Sequence, residues 1–447
     1  MRRRERLSDY EVRPRINQRT PTTKKKKKAL VLNSLRVATT AILGLLAACG
    51  PSVYDEIELM PAPTIYAETD VTPFANVTRE TVSERAKLFF VTDRMQADAG
   101  DPQAHYNNER GHMLRAGTTR VKIDPPIPTW DEVSRITLAR ERERTYKLQL
   151  SEVNEIGVLP FSLSRYFENA PTQQEMDAAG LSFAAQIDAQ LARSKNKDIF
   201  IYTHGYNVDF DYSTLVSKEL QHFLGYQGAF ISYNWTATPS RLAYFRDHES
   251  VLSTRRNLRA LIEYLSENTR AQRVHLIGYS AGTRLAFEAA YQLALQSDGK
   301  TRLGHLILIG SDLDTSFVLQ SLEDGLLDAV EDVTFYQSQT DSALAISKFV
   351  FGRQRIGQTS EPGALPPGLE SGLASLDALH VIDVTDAEAA DSGNGHWYFQ
   401  SSPWASSDLF ISLLTDKSPP ERGLVRAPDG VVWRFPSNYP DVLRTLE

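Results

Sequence analysis

The chain has 447 residues, enough for one large domain or two small ones, and its 41% hydrophobic, 23% charged and 9% aromatic residues exclude a disordered, collagenous or multi-span membrane protein. One cysteine, Cys49, excludes an intramolecular disulfide framework and a cysteine-built zinc site. The formal charge of −7 is uneven: residues 1–48 hold 13 Lys/Arg against 3 Asp/Glu, a net +10, which leaves −17 for the remainder and gives it no electrostatic basis for nucleic-acid binding.

The basic head, with Arg2, Arg3, Arg4, Arg6 and the run of lysines 24–28, precedes a mostly apolar segment, residues 37–48, that ends in Leu46-Ala47-Ala48-Cys49-Gly50. This is the n-region, h-region and small-residue order of an export signal, and the apolar stretch is shorter than the roughly 17 to 25 residues a membrane-crossing helix needs. Leu-Ala-Ala-Cys resembles the bacterial lipobox, which implies diacylglycerol on the Cys49 sulfur, cleavage before it, and acylation of the new amino terminus. Several acyl chains together anchor stably, so the resemblance predicts a protein tethered to a membrane of the bacterial cell envelope. Gly50, rather than Asp, after the cysteine resembles the outer-membrane address of Gram-negative lipoproteins. An ordinary cleaved signal with an incidental Cys49 is the competing reading.

Residues 50–80 are punctuated by Pro, Thr and acidic residues without a sustained period, as in a flexible tether, so 49–80 is read as the lipid-anchored linker. Short β-rich runs follow at 86–92, 120–123, 134–138 and 145–153. Apolar strands at 199–203, 229–233, 274–278, 305–309, 333–337 and 380–384 then alternate with helix-length segments at 214–224, 249–267, 283–296 and 317–327. That alternation predicts an α/β fold: a mostly parallel central sheet with helices on both faces. The Gly/Pro-rich stretch 352–372 reads as a long loop, a lid or a mobile insertion.

Gly278-Tyr279-Ser280-Ala281-Gly282 lies between a strand and a helix. A serine at so sharp a turn adopts a strained backbone conformation, and the flanking Gly278 and Gly282 let neighbouring chain approach without Cβ clashes. Its hydroxyl then stands at a helix amino end, where N–H groups favour developing negative charge. A serine nucleophile needs a base oriented by an acid. His396 follows the last strand and Asp341 the one before; Asp312, in Gly310-Ser311-Asp312-Leu313-Asp314, is the alternative acid, and either Asp also suits a helix N-cap. The remaining oxyanion donor is sought after an earlier strand, in Thr203-His204-Gly205-Tyr206-Asn207, where the N–H of Tyr206 joins that of Ala281. His204 reads as a loop-holding residue. No H-E-x-x-H, C-x-x-C or phosphate-loop spacing occurs, so neither a metal nor a cofactor is expected.

The order Ser280, Asp341, His396 is that of the α/β-hydrolases. The sequence resembles a bacterial esterase/lipase-like branch of that superfamily, catalogued as a domain of unknown function, through Phe90-Val91-Thr92-Asp93-Arg94, the 203–207 loop, Asn234-Trp235, Asp247-His248-Glu249-Ser250, the serine turn with Arg284-Leu285, Ser311-Asp312-Leu313-Asp314, Asp341-Ser342-Ala343-Leu344 and Gly395-His396. Many relatives carry His and Met where this chain has Tyr279 and Ala281, and Pro where it has Ser311. The resemblance implies an α/β-hydrolase domain over 81–415, with 416–447 as a C-terminal extension, and a serine hydrolase acting on a small-molecule or lipid ester through an acyl-enzyme. A non-catalytic envelope scaffold on the same fold is the alternative, and fold alone does not choose between them. The sequence leaves the oligomeric state open.

Overall fold

The computed structural model describes residues 56–446 except 76, 79–81, 83–85, 99, 101–104, 163–166, 168–169, 241–242, 297–300, 345–371 and 429. The leader, Cys49 and all but the last residue of the 352–372 loop lie outside the described residues.

The described strands are β1 (Glu56–Glu58), β2 (Leu88–Gln96), β3 (Tyr106–Asp124), β4 (Lys147–Val158), β5 (Ile199–Thr203), β6 (Ala229–Asn234), β7 (Val274–Tyr279), β8 (Leu303–Ile309), β9 (Val330–Gln337), β10 (Leu379–Asp383), β11 (Val425–Arg426) and β12 (Val432–Arg434). They form one sheet in the order β1-β4-β3-β2-β6-β5-β7-β8-β9-β10-β12-β11. From β2 to β12 along that order every neighbour is parallel, while β3, β4 and β1 extend one edge and β11 the other in antiparallel fashion. The six strands read from the sequence fall in β5 to β10. Their near-continuous apolar runs are what a sheet covered on both faces requires.

Among the described residues, six longer helices cover those faces: α1 (Gln173–Arg193), α2 (Phe210–Phe223), α3 (Tyr244–Asn268), α4 (Ala281–Gln296), α5 (Thr315–Glu323) and α6 (Pro403–Leu414). Alternation along β5 separates two cores. Ile199 and Ile201 pack with Phe183 and Ile187 of α1, Leu258 and Leu261 of α3 and Leu285 of α4. Phe200 and Tyr202 pack with Leu215 and Leu220 of α2 and with Leu409 and Phe410 of α6. Complete burial of such a side chain contributes about 1.5–3 kcal/mol, so this two-sided packing holds the helices on the sheet. Caps fix where helices begin: Thr172 and Glu175 form a capping box on α1, and the side chain of Asp209 accepts the Tyr212 N–H, starting α2 four residues earlier than its apolar period indicates.

Three sequence expectations are corrected. Residues 134–138 are not β-structure; they are the end and C-cap of a helix, Trp130–Thr137, which forms because Thr129 caps it by accepting the Glu132 N–H and Asp131 and Glu132 fill its first turn. The segment read as a free tether is partly built into the body: β1 pairs with β4, and Met60, Ile65 and Tyr66 are buried in the second core. The stretch 416–447 does not stand apart either, since β12 extends the parallel sheet beside β10. Among the described residues, no helix is long and apolar enough to cross a membrane.

Candidate active site

Strand order places the site. The chain runs from β5 outward to β6, then crosses back to lay β7 on the other side of β5, so the connections leaving β5 and β7 diverge and open a crevice at the carboxyl ends of these strands. Thr203 at the end of β5 is in register with Gly278 of β7, which brings the 204–207 loop against the 280–282 turn.

Ser280 sits in that crevice with φ +52°, in the left-handed region that a side chain adopts only under constraint. Its N–H donates to the Ile309 carbonyl (2.9 Å), and its own carbonyl accepts from the N–H and hydroxyl of Thr283 (2.9 and 2.6 Å). The two glycines are required by space. A Cβ on Gly282 would lie 2.3 Å from the His204 oxygen and 2.4 Å from that of Thr203; one on Gly278 would lie 2.8 Å from Thr283 Cα. The first turn of α4 therefore rests directly on the end of β5. Ala281 opens α4, so its N–H has no intrahelical acceptor. A Cβ on Gly205 would stand 3.0 Å from that of Ser280, so the bare backbone of this loop forms the wall beside the hydroxyl.

His396 and Asp341 come from the loops after β10 and β9, which are knitted together. The Ser342 N–H and hydroxyl both donate to the Asn394 carbonyl (3.1 and 2.9 Å), and the His396 N–H donates to Asn394 Oδ1 (3.1 Å). Gly395, at φ +69°, has no room for a Cβ beside the Thr340 oxygen. His396 Nδ1 lies 2.6 Å from Asp341 Oδ2, with both side chains buried. Nδ1 carries the proton shared with the carboxylate, leaving Nε2 as the ring's other functional nitrogen. Asp341 Oδ1 also accepts the Leu344 N–H (3.0 Å), so the capping role and the pairing with histidine coexist in one side chain. Ser280, His396 and Tyr206 line a single cavity, together with Gly205, Asn207, Val208, Tyr212, Tyr279, Asn394 and Trp397.

Asp312 is engaged elsewhere: its Oδ2 is 3.6 Å from His248 Nε2 and its Oδ1 3.8 Å from Arg284 Nη2. The carboxylate paired with His396 is that of Asp341. His204 stacks on Trp235 at 5.1 Å and 8°, its two ring nitrogens lie 2.7 and 3.1 Å from the carbonyl oxygens of Gly205 and Trp235, and its own carbonyl accepts the Trp235 indole N–H (2.8 Å). Burial, reinforced by the Arg94 charge, pushes its pKa down to about 3, against the contacts with the Gly205 and Trp235 carbonyls, which raise it.

Several residues that position the site escaped the sequence reading or entered it only as motif letters. Gly310 (φ +60°) ends β8, and a Cβ there would lie 2.9 Å from His396 Cε1. Arg94 is fully buried and donates to the carbonyls of Val208 (2.8 Å) and Ala237 (3.1 Å), tying the loop after β5 to the loop after β6. Asp93 accepts from the Thr236 N–H and hydroxyl, both at 2.9 Å. Asp247 accepts the N–H groups of Thr238 (3.0 Å) and Asn207 (3.4 Å). The paired motifs Asp93-Arg94, Asn234-Trp235 and Asp247 thus form one clamp on the 204–208 loop.

Burial raises the Asp247 carboxyl from 3.8 to about 6, against hydrogen bonds from Thr238 and Asn207 and the Arg94 charge, which lower it. Between those values the folded protein keeps a proton that the unfolded chain has released, so stability falls as pH rises through this window, by up to about 3 kcal/mol. Asp247→Asn is expected to remove that part of the slope. Urea unfolding of both proteins at either end of the window measures it; identical pH dependence would contradict the assignment.

The model of one family, described as alpha/beta hydrolase of unknown function (DUF900), matches residues 180–416, just over half of the chain. No curated protein and no solved structure matches the chain.

Proposed function

We propose, on the premise that the chain belongs to the alpha/beta hydrolases of unknown function, that it is a serine hydrolase cleaving carboxylic esters through an acyl-enzyme. The observation that carries the reading is the buried Asp341–His396 hydrogen bond opening onto the same cavity as Ser280 on its left-handed turn.

In this reading His396 Nε2 takes the Ser280 proton as the hydroxyl oxygen attacks the ester carbonyl, and Asp341 holds the ring and balances the imidazolium that forms. The N–H groups of Tyr206 and Ala281 receive the oxyanion, one from the clamped loop and one from the amino end of α4. The imidazolium then protonates the departing alcohol. Water enters where the alcohol left, gives its proton to His396 and attacks the acyl-enzyme, releasing the acid and restoring Ser280. In this reading the donors are in place before the charge develops, so little reorganisation accompanies it.

The test is labelling by a fluorophosphonate probe, which captures an activated serine. Wild type is expected to take one label and Ser280→Ala none; equal labelling of both would overturn the proposal.

We also propose that Cys49 carries the lipid that holds this hydrolase on a membrane of the cell envelope, on the strength of the Leu46-Ala47-Ala48-Cys49 sequence. Labelled palmitate supplied to a bacterial host should enter the mature protein and not Cys49→Ser; equal incorporation into both would refute it.

A further inference from the structure

We infer that the cavity at Ser280 admits an acyl group of acetyl size, making short-chain acyl esters, and not the long-chain esters of membrane lipids, the substrate class. This rests on Ser280 being the nucleophile.

The cavity measures about 30 Å³. A cavity of about 150 Å³ admits benzene, roughly 25 Å³ per carbon, so there is space for about one carbon. Its walls are not free to part. The Tyr279 ring packs on His396 (5.1 Å), Trp397 (5.2 Å) and Phe399 (4.7 Å), and Tyr212 meets Trp397 edge-on (5.7 Å). Tyr279 and Tyr212 are both buried, and the Tyr279 hydroxyl donates to the His396 carbonyl (3.4 Å). Displacing one ring moves the others and disturbs His396, and close-packed interiors resist such expansion.

The carbonyl carbon bears two arms, and the chemistry decides which one the cavity holds. After the alcohol departs, water must reach the acyl-enzyme from the side the alcohol vacated. The leaving side is therefore the side left open to water, and the acyl arm occupies the cavity. Among the described residues the cavity offers a long acyl chain no place, whatever its alcohol.

The substrates that test this are the p-nitrophenyl esters of acetate, butyrate and octanoate, with methyl octanoate and octyl acetate as a reversed pair, on the full-length protein. Each methylene without a place in a rigid pocket lowers kcat/KM by about tenfold or more, so acetate should exceed octanoate by at least about 100-fold. Tyr212→Ala and, separately, Trp397→Leu should each narrow that ratio about tenfold or more by opening the wall. Octyl acetate should be the better of the reversed pair. Equal or rising rates toward octanoate, all abolished by Ser280→Ala, would overturn the acyl-size inference while sparing the serine hydrolase. Preference for methyl octanoate would place the alcohol in the cavity and overturn it too. Absence of all turnover together with absence of Ser280 labelling would remove the serine hydrolase reading, and this inference with it.

Discussion

Ser280→Ala is expected to lower kcat/KM for p-nitrophenyl acetate by about 10⁶-fold while leaving the melting temperature unchanged. Both expectations follow from the turn. Serine and alanine each carry a Cβ, so the strain at φ +52° is common to both, and the Ser280 hydrogen bonds to Ile309 and Thr283 that hold the turn use backbone groups of residue 280. Only the attacking oxygen is lost. His396→Ala should lose about as much, and the double variant no more than either single one, because nucleophile and base act as a unit. Independent, multiplying losses would mean that the two residues serve different steps.

Asp341→Asn is expected to slow the same reaction by about 10⁴-fold, because an amide cannot offset the imidazolium charge and disturbs the choice of ring tautomer. Asparagine can still accept the Leu344 N–H through its carbonyl oxygen, so the cap on the following turn survives and the fold should too. Asp312→Asn, placed against His248 and Arg284, should leave turnover within a few fold. The opposite ranking in equally folded proteins would give Asp312 the orienting role and would require the His396 loop to rearrange during the reaction.

The legible part of this molecule is the part whose causes are local. Apolar runs of five or six residues announced β5 to β10, and glycines two positions either side of Ser280 announced a turn where chain must pass within van der Waals contact of β5. The choice between Asp341 and Asp312 was not local. It depends on the loops after β9 and β10 closing on each other through Ser342 and Asn394, 52 residues apart in the chain, and through Gly395. Gly310 entered only as a letter of the 310–314 motif, yet its missing side chain makes space for the His396 ring. Arg94 entered only as a letter of the 90–94 motif and is an interior strut; nothing in its immediate sequence announces that its partners are the carbonyls of Val208 and Ala237. The helix α6 went unread because its sequence, PWASSDLFISLL, is buried almost all round and has no polar face to reveal a period. Its Asp408 is held by Arg422 (2.7 Å) and the Tyr336 hydroxyl (2.7 Å), which is how a carboxylate is tolerated in that core.

The account stands on a covalent intermediate at Ser280. Rapid acid quench of wild type mixed with p-nitrophenyl acetate, followed by peptide mass mapping, observes it directly. The account predicts one acetyl group on the peptide containing Ser280 during turnover and none on Ser280→Ala; steady hydrolysis with no acetylated protein, or with the acetyl group on another residue, would contradict it.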